Sequence, residues 1–545
     1  MHKRSYLLVG ILVGVLILAA CSDSAGTSDG GGQAARIPDL TIVSGSENRT
    51  LEPIIQAWAT ENNKVIEIEY LGSLDIMLDL QDGEIAYDAV WPANSIWLSL
   101  GDEQDIVKSD ESILRSPVVL GIKESVANDL GWIGRTDITT VDILEAAENG
   151  EFQMYMTSAT QSNSGASAYL AFLYAFAGQP NVLTSDDLNN EDVREQVRRI
   201  LAAVERSSGS SGWLKDLCLD QYVRCDAMFN YEALIIEANQ ELVARGDEPL
   251  YAIYPADGLA IADSPLGFVD KGSTEKEALF DELQAYLLSE EIQTQLLDRG
   301  RRTGLVGLNV DDVNTNVFNP DWGIDVNQVF QAITFPRPDV LQEALFLYQT
   351  ALRKPSFTIY ALDFSGSMDG AGEDQLKEAM TTLLDQDLAS QYLLQASPDD
   401  VTVVLIFSDR VQNGTSVTVL DEWIVYGNDE ATLRRLRNTI QAFQPSGGTN
   451  IYDPVQVAMG LFNEIGIGNR FPAVILMTDG QSNTGSFEEM RRRYESTASE
   501  FPVFAITFGQ ADRGQLEEIT ELTFGRIFDG SSDLIGAFRS AKGYN

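Results

Sequence analysis

Apolar and polar positions along this chain alternate between two periods, and the alternation is repeated twice. Short apolar runs closed by Ser, Gly, Asn or Pro predict buried strands over 40–43, 65–70, 87–91 and 116–122. Between the first two, Leu51, Ile54, Ile55 and Trp58 recur at helical spacing and predict a helix over 51–60, and a shorter helix is expected over 75–81. A helical region follows over 276–297, closed by Arg299, Gly300, Arg301 and Arg302. The stretch 310–336 is rich in Asn, Asp and Pro and is expected to cross the surface. Val340, Ala344, Leu345, Tyr348 and Leu352 place one more helix before Arg353, Lys354 and Pro355, where a domain boundary is expected.

From Ser356 the pattern starts again. Strands are predicted over 357–362, 401–407, 473–477, 503–508 and 526–528, with helices over 373–384, 431–442, 454–464, 487–497, 514–522 and 533–541. Strand and helix in strict alternation predict a doubly wound, mostly parallel sheet. Its first strand ends in Asp363-Phe-Ser365-Gly-Ser367, an acid followed by two hydroxyls at alternate positions. Ligands of open α/β sheets bind at that end of the strands. A carboxylate with two hydroxyls offers only oxygen, which suits a hard divalent cation.

The N-terminus has a different pattern. A basic start, an apolar run over 6–18 and the small residues Ala19 and Ala20 describe a secretory signal. Leu18-Ala19-Ala20-Cys21 resembles the bacterial lipobox, which implies cleavage before Cys21 and its lipidation. The alternatives are an ordinary signal peptide or a signal anchor. Residues 22–36 are small and polar and predict a flexible tether, so 1–20 is taken as signal and 21–37 as tether. No other stretch is long and apolar enough to span a membrane.

Composition narrows the function. The 545 residues carry 37 Lys and Arg against 82 Asp and Glu, a formal net charge of −45. Such a surface repels nucleic acid and gains nothing from anionic headgroups, leaving the lipid anchor as the expected membrane contact. The single histidine is His2, inside the signal, so histidine-based nucleophilic catalysis and imidazole zinc sites are excluded. No enzymatic activity is expected, although a pair of carboxylates could still serve a glycosidase. With Cys21 lipidated, Cys218 and Cys225 remain as an even pair in an oxidising compartment, and a disulfide is expected between them, the alternative being two buried free thiols.

Two resemblances organise these features. The order of strands and turns over 38–340 is similar to the two-lobed extracellular solute-binding proteins of ABC transporters. It runs through the Ser44–Asn48 loop, the Gly72-Ser73 turn, the serine-rich 157–165 loop and the run from Ala227 to Glu232. That fold implies that Ser44, Ser46, Ser73, Asn94, Ser164 and Tyr231 lie near a cleft for a small polar solute. No cluster of Lys or Arg lines these loops, which speaks against a phosphate-type ligand. After a linker helix over 341–355, residues 356–545 resemble von Willebrand factor A domains. Asp363, Ser365, Ser367, Thr449 and Asp479 match the family's metal-ion-dependent adhesion site position by position. The resemblance implies that Ser365, Ser367 and Thr449 offer hydroxyl oxygens. Asp363 and Asp479 would supply charge directly or through water, and a partner's carboxylate would complete the shell. Mg²⁺ suits few carboxylates with retained water; Ca²⁺ or Mn²⁺ could substitute. The fold class expected is thus α/β, a two-lobed periplasmic-binding-protein-like module followed by a Rossmann-like A domain. The expected work is metal-dependent recognition of a protein or glycan by a lipid-anchored extracytoplasmic protein. The alternative is a transport receptor with the A domain as accessory.

Overall fold

The structure is a computed structural model that describes residues 37–83, 85–303, 313–497, 500–508, 511–531 and 533–543. The signal, most of the tether and Cys21 lie outside the described residues. Among the described residues three sheets form, and no helix is long and apolar enough to cross a membrane.

The first lobe holds β1 (Leu40–Gly45), β2 (Ile66–Leu71), β3 (Ala89–Trp91) and β4 (Val107–Ser112). The chain then crosses to a second lobe. That lobe contains β5 (Ser116–Lys123), β6 (Met154–Thr157), β7 (Val204–Ser208), β8 (Ala227–Tyr231), β9 (Leu250–Ile253) and β10 (Ile261–Ala262). It returns to the first lobe with β11 (Pro265–Val269), giving sheet orders β2-β1-β3-β11-β4 and β10-β5-β8-β6-β7, with β9 on β5. The helix Glu52–Glu61 buries Ile54, Ile55 and Trp58, the face its spacing predicted.

The expected 276–297 helix is two helices, Thr274–Leu287 and Glu290–Leu297. Ser289 is extended at the break, and its hydroxyl donates to the Tyr286 carbonyl at 2.7 Å, a local bond that competes with the helical ladder. Residues 313–337 do more than cross the surface. Phe318, Trp322 and Ile324 are buried against the second lobe, and Phe330 stacks on Tyr254 at 4.6 Å. The following helix, Pro338–Leu347, starts inside the span expected for the first module and buries Val340, Leu341 and Ala344 in the second lobe's core.

The third sheet has the order β14-β13-β12-β15-β16-β17. Its strands are β12 (Ser356–Asp363), β13 (Val401–Phe407), β14 (Ile424–Tyr426), β15 (Phe471–Thr478), β16 (Val503–Thr507) and β17 (Ile527–Asp529). All pairs are parallel except β13 with the edge strand β14. Every residue of β12 is buried. A central strand covered on both faces reads as a continuous apolar run, which is why this one was legible in the sequence. The last helix, Leu534–Gly543, packs on this sheet and also reaches both lobes. Arg539 pairs with Asp75 of the first lobe, while its Nη2 donates to the Thr160 carbonyl of the second at 2.8 Å.

Candidate metal centre and interlobe cleft

Register brings the candidate metal residues together. Asp363 lies opposite Phe407 of β13, and Leu362 opposite Met477 of β15, so the loops after β12 and β15 leave the sheet side by side. Asp363 is fully buried. Its Oδ1 accepts from the Ser365 backbone N–H at 2.8 Å, and its Oδ2 accepts from the Thr478 hydroxyl at 2.6 Å. Burial, aided by the nearby charge of Asp479, pushes its carboxyl up to about 6, while the bonds from Thr478 and Ser365 pull the other way.

Ser365 Oγ and Ser367 Oγ are 3.1 Å apart, and Ser367 Oγ donates to Asp479 Oδ1 at 2.9 Å. Octahedral Mg²⁺ with bonds of about 2.1 Å would place neighbouring ligand oxygens about 3.0 Å apart; Ca²⁺ would place them about 3.4 Å apart. Thr449 comes from a third loop. Its N–H donates to Asn483 Oδ1 at 3.3 Å and its carbonyl accepts from the Asn483 N–H at 3.0 Å. Gly480 separates Ser367 from Thr449: a Cβ there would lie 3.3 Å from Ser367 Oγ and 3.4 Å from Thr449 Oγ1. Gly447, at φ +86°, turns its loop so that its carbonyl accepts from the Gly366 N–H at 3.0 Å. Among the described residues, no group of three His, Cys, Asp or Glu side chains could hold a metal ion. The set at the end of β12 contains two carboxylates and rests on hydroxyls for the rest.

The residues expected at the solute cleft bond to protein groups around them. Ser44 Oγ accepts from Asn48 Nδ2 at 3.2 Å, and Ser73 Oγ accepts from the Ala93 N–H at 3.0 Å. Asn94 caps the helix Ser95–Gly101 through the Ile96 N–H, and its Nδ2 donates to the Ile261 carbonyl, both at 3.0 Å. Ser164 Oγ lies 2.8 Å from both Thr157 Oγ1 and Ser211 Oγ. Tyr231 OH accepts from Asn163 Nδ2 at 2.9 Å.

The lobes are closed on each other. Ser46 Oγ accepts from Ser210 Oγ across the seam at 2.7 Å, and Trp97 Nε1 donates to Asn163 Oδ1 at 2.7 Å. A cavity of about 10 Å³ remains between them, lined in part by Glu47, Tyr231 and Arg301 and large enough for about one water. Cys218 and Cys225 are joined in a disulfide behind this region.

Several residues outside the expected set shape both sites. Thr478 and Asn483 orient Asp363 and Thr449. Arg301 pairs with Glu237 of the second lobe at 2.5 Å and donates to the Glu47 carbonyl of the first at 2.8 Å. Arg302 forms a two-pronged pair with Glu232, at 2.7 and 2.6 Å, with both side chains buried. In the sequence these two arginines marked only a helix end. The acids they meet lie 64 and 70 positions away, and no local spacing announces them.

Comparison with known proteins agrees with this architecture. Residues 40–302 match the family model described as bacterial extracellular solute-binding protein, and residues 359–532 match that of the von Willebrand factor type A domain. The chain thus joins a region similar to bacterial extracellular solute-binding proteins to a region similar to von Willebrand factor type A domains. It is 26% identical over 163 residues to human (Homo sapiens) inter-alpha-trypsin inhibitor heavy chain H3, and 28% identical over 165 residues to the human heavy chain H4. Each match covers 28% of this chain but only 16% of the relative's length. Among solved structures, the sulfate-binding protein SubI from Mycobacterium tuberculosis H37Rv is 15% identical with a TM-score of 0.39, covering 54% of this chain and 93% of that one. A von Willebrand factor type A protein from Catenulispora acidiphila is 16% identical with a TM-score of 0.29, covering 35% and 42%.

Proposed function

We propose that this is a lipid-anchored extracytoplasmic binding protein whose A domain recognises a protein or glycan through a divalent cation, with Mg²⁺ preferred. The observation that carries the reading is the convergence of five oxygen-bearing side chains from three separate loops at one end of a parallel sheet, with oxygen spacings of 3.1 and 2.9 Å. Ser365, Ser367 and Thr449 would hold the cation, with Asp363 and Asp479 providing charge directly or through water. When bound, the ion supplies a Lewis-acidic position for a partner's carboxylate. The chain's own residues set the donors: Thr478 fixes one oxygen of Asp363, the Ser365 N–H fixes the other, and Asn483 fixes Thr449. Both modules match families of binding proteins, and we infer no catalytic activity. The extracellular family of the first module supports the location, and Cys21 is the proposed anchor.

Isothermal titration of Mg²⁺ into the wild-type chain and into Asp363→Ala tests the reading. A saturable heat in the wild type and none in the variant is expected; equal heats in the two would refute the metal assignment.

A second reading, a transport receptor, is favoured by the two lobes closing on each other around a cavity. It requires the seam at Ser46–Ser210 and Trp97–Asn163 to part. A ligand-induced rise in melting temperature that survives Asp363→Ala would favour it.

A further inference from the structure

A cavity of about 40 Å³ lies where the second lobe, the linker helix and the A domain meet. It is larger than the space one water needs, about 10–15 Å³. The linker contributes Arg353 and Lys354, the A domain's last helix Lys542, and the second lobe Ser158, Thr160 and Ser207. Among the described residues, no carboxylate lines it.

The charges around it do not cancel. Arg353 is neutralised by Asp400, at 3.1 and 2.5 Å. Lys354 Nζ donates to the Val204 carbonyl at 2.9 Å and lies 4.8 Å from the centre of the Phe471 ring. Lys542 Nζ donates to the Leu394 carbonyl at 2.5 Å. An ammonium has three N–H groups, so each lysine keeps donors beyond these carbonyls, and among the described residues neither has a carboxylate in contact. Burial pushes Lys542 down to about 8, helped by the like charge of Arg353, and burial also lowers Lys354. A buried ammonium (Lys354) and a partly buried one (Lys542) without a contacting anion among the described residues are costly to fold around. They are also out of character for a chain with a formal net charge of −45, where acids to pair them are plentiful.

We propose that this junction cavity binds a small inorganic oxyanion of the sulfate or phosphate type, held by Lys354 and Lys542 with hydroxyls of the second lobe. The anion joins the two modules, because its ligands come from both and from the linker between them. The site is separate from the interlobe cavity, which is lined by the carboxyl-bearing Glu47.

Thermal unfolding of the full chain tests this, with sulfate or phosphate added in the low-millimolar range at ionic strength held constant with NaCl. The wild type is expected to show a saturable rise in melting temperature with either anion. Lys354→Gln and Lys542→Gln should each weaken the midpoint of that rise by about tenfold or more. A midpoint unchanged in both variants would place any anion elsewhere, the interlobe cleft included, and overturn the proposal. Selenate soaked into crystals of the wild-type chain gives a check that needs no variant. An anomalous peak between Lys354 and Lys542 is expected, and its absence at saturating selenate overturns the site.

Discussion

At the scale of single residues, two acids shielded from water, Glu47 in part and Asp400 fully, have opposite fates, and both can be tested. Glu47 sits at the seam of the lobes, its Oε1 without a hydrogen-bond partner among the described residues, and burial pushes its carboxyl up from 4.5 to about 7. The folded state therefore holds a proton that the unfolded state releases, and stability falls as pH rises from 4.5 to about 7. Glu47→Gln should leave stability unchanged near pH 4 and raise it near pH 8 by on the order of 2–3 kcal/mol, read from urea midpoints at the two pH values. Asp400 is the reverse. Burial alone would raise it, but the Arg353 guanidinium and the Ser356 N–H hold it down at about 2. Its stabilisation is present above the ordinary carboxylate range and is lost as pH falls from about 4 to about 2. Asp400→Asn strands Arg353 in the interior and should cost about 3–5 kcal/mol at pH 7 by urea unfolding, with a flatter acid limb. The candidate metal residues were legible at this scale because each stands where an apolar run stops or a glycine turn begins. Thr478 and Asn483 were not: a threonine or asparagine in such a loop has many local uses, and only its partner across the fold shows which one it serves.

At the scale of elements, the last helix ties the molecule together. Arg539 reaches Asp75 at the start of the helix Ser73–Asp82, the Thr160 carbonyl beside the helix Asn163–Phe176, and the Tyr392 carbonyl of its own domain at 2.8 Å. Parting the lobes along this edge must break or stretch one of these bonds. Arg539→Asp and Asp75→Arg should each increase hydrogen exchange in residues 72–76 and 158–164, and the double exchange should restore protection. If the double variant exchanges like the sum of the singles, the pair does not hold the lobes. The β12 strand was readable as a continuous apolar run, and the amphipathic helices because burial on one face leaves a period. The edge strand β14 was not, since it has three residues and one, Tyr426, is exposed. The segment 313–337 was read as surface because Asn and Asp form its turns, while the few residues that anchor it, such as Phe318 and Trp322, keep no period.

At the scale of the whole molecule, charge dominates. With 82 acidic against 37 basic residues, self-repulsion opposes the compact state, and added salt screens it. Raising NaCl from low ionic strength to about 0.3 M should raise the melting temperature of the full chain; a flat or falling curve would show that the carboxylates are already locally compensated. What the sequence by itself determined was the succession of elements, the exclusion of histidine chemistry, and the presence of Asp363, Ser365, Ser367, Thr449 and Asp479 at element ends. Local periodicity and turn chemistry are sufficient for those. Only the tertiary structure decided that Ser46 meets Ser210 and Trp97 meets Asn163 across the lobes, that Arg301, Arg302 and Arg539 join parts far apart in sequence, and that Lys354 and Lys542 share a cavity. Those facts depend on which surfaces meet. A hydroxyl or an ammonium carries the same local signal whether it faces water or another lobe.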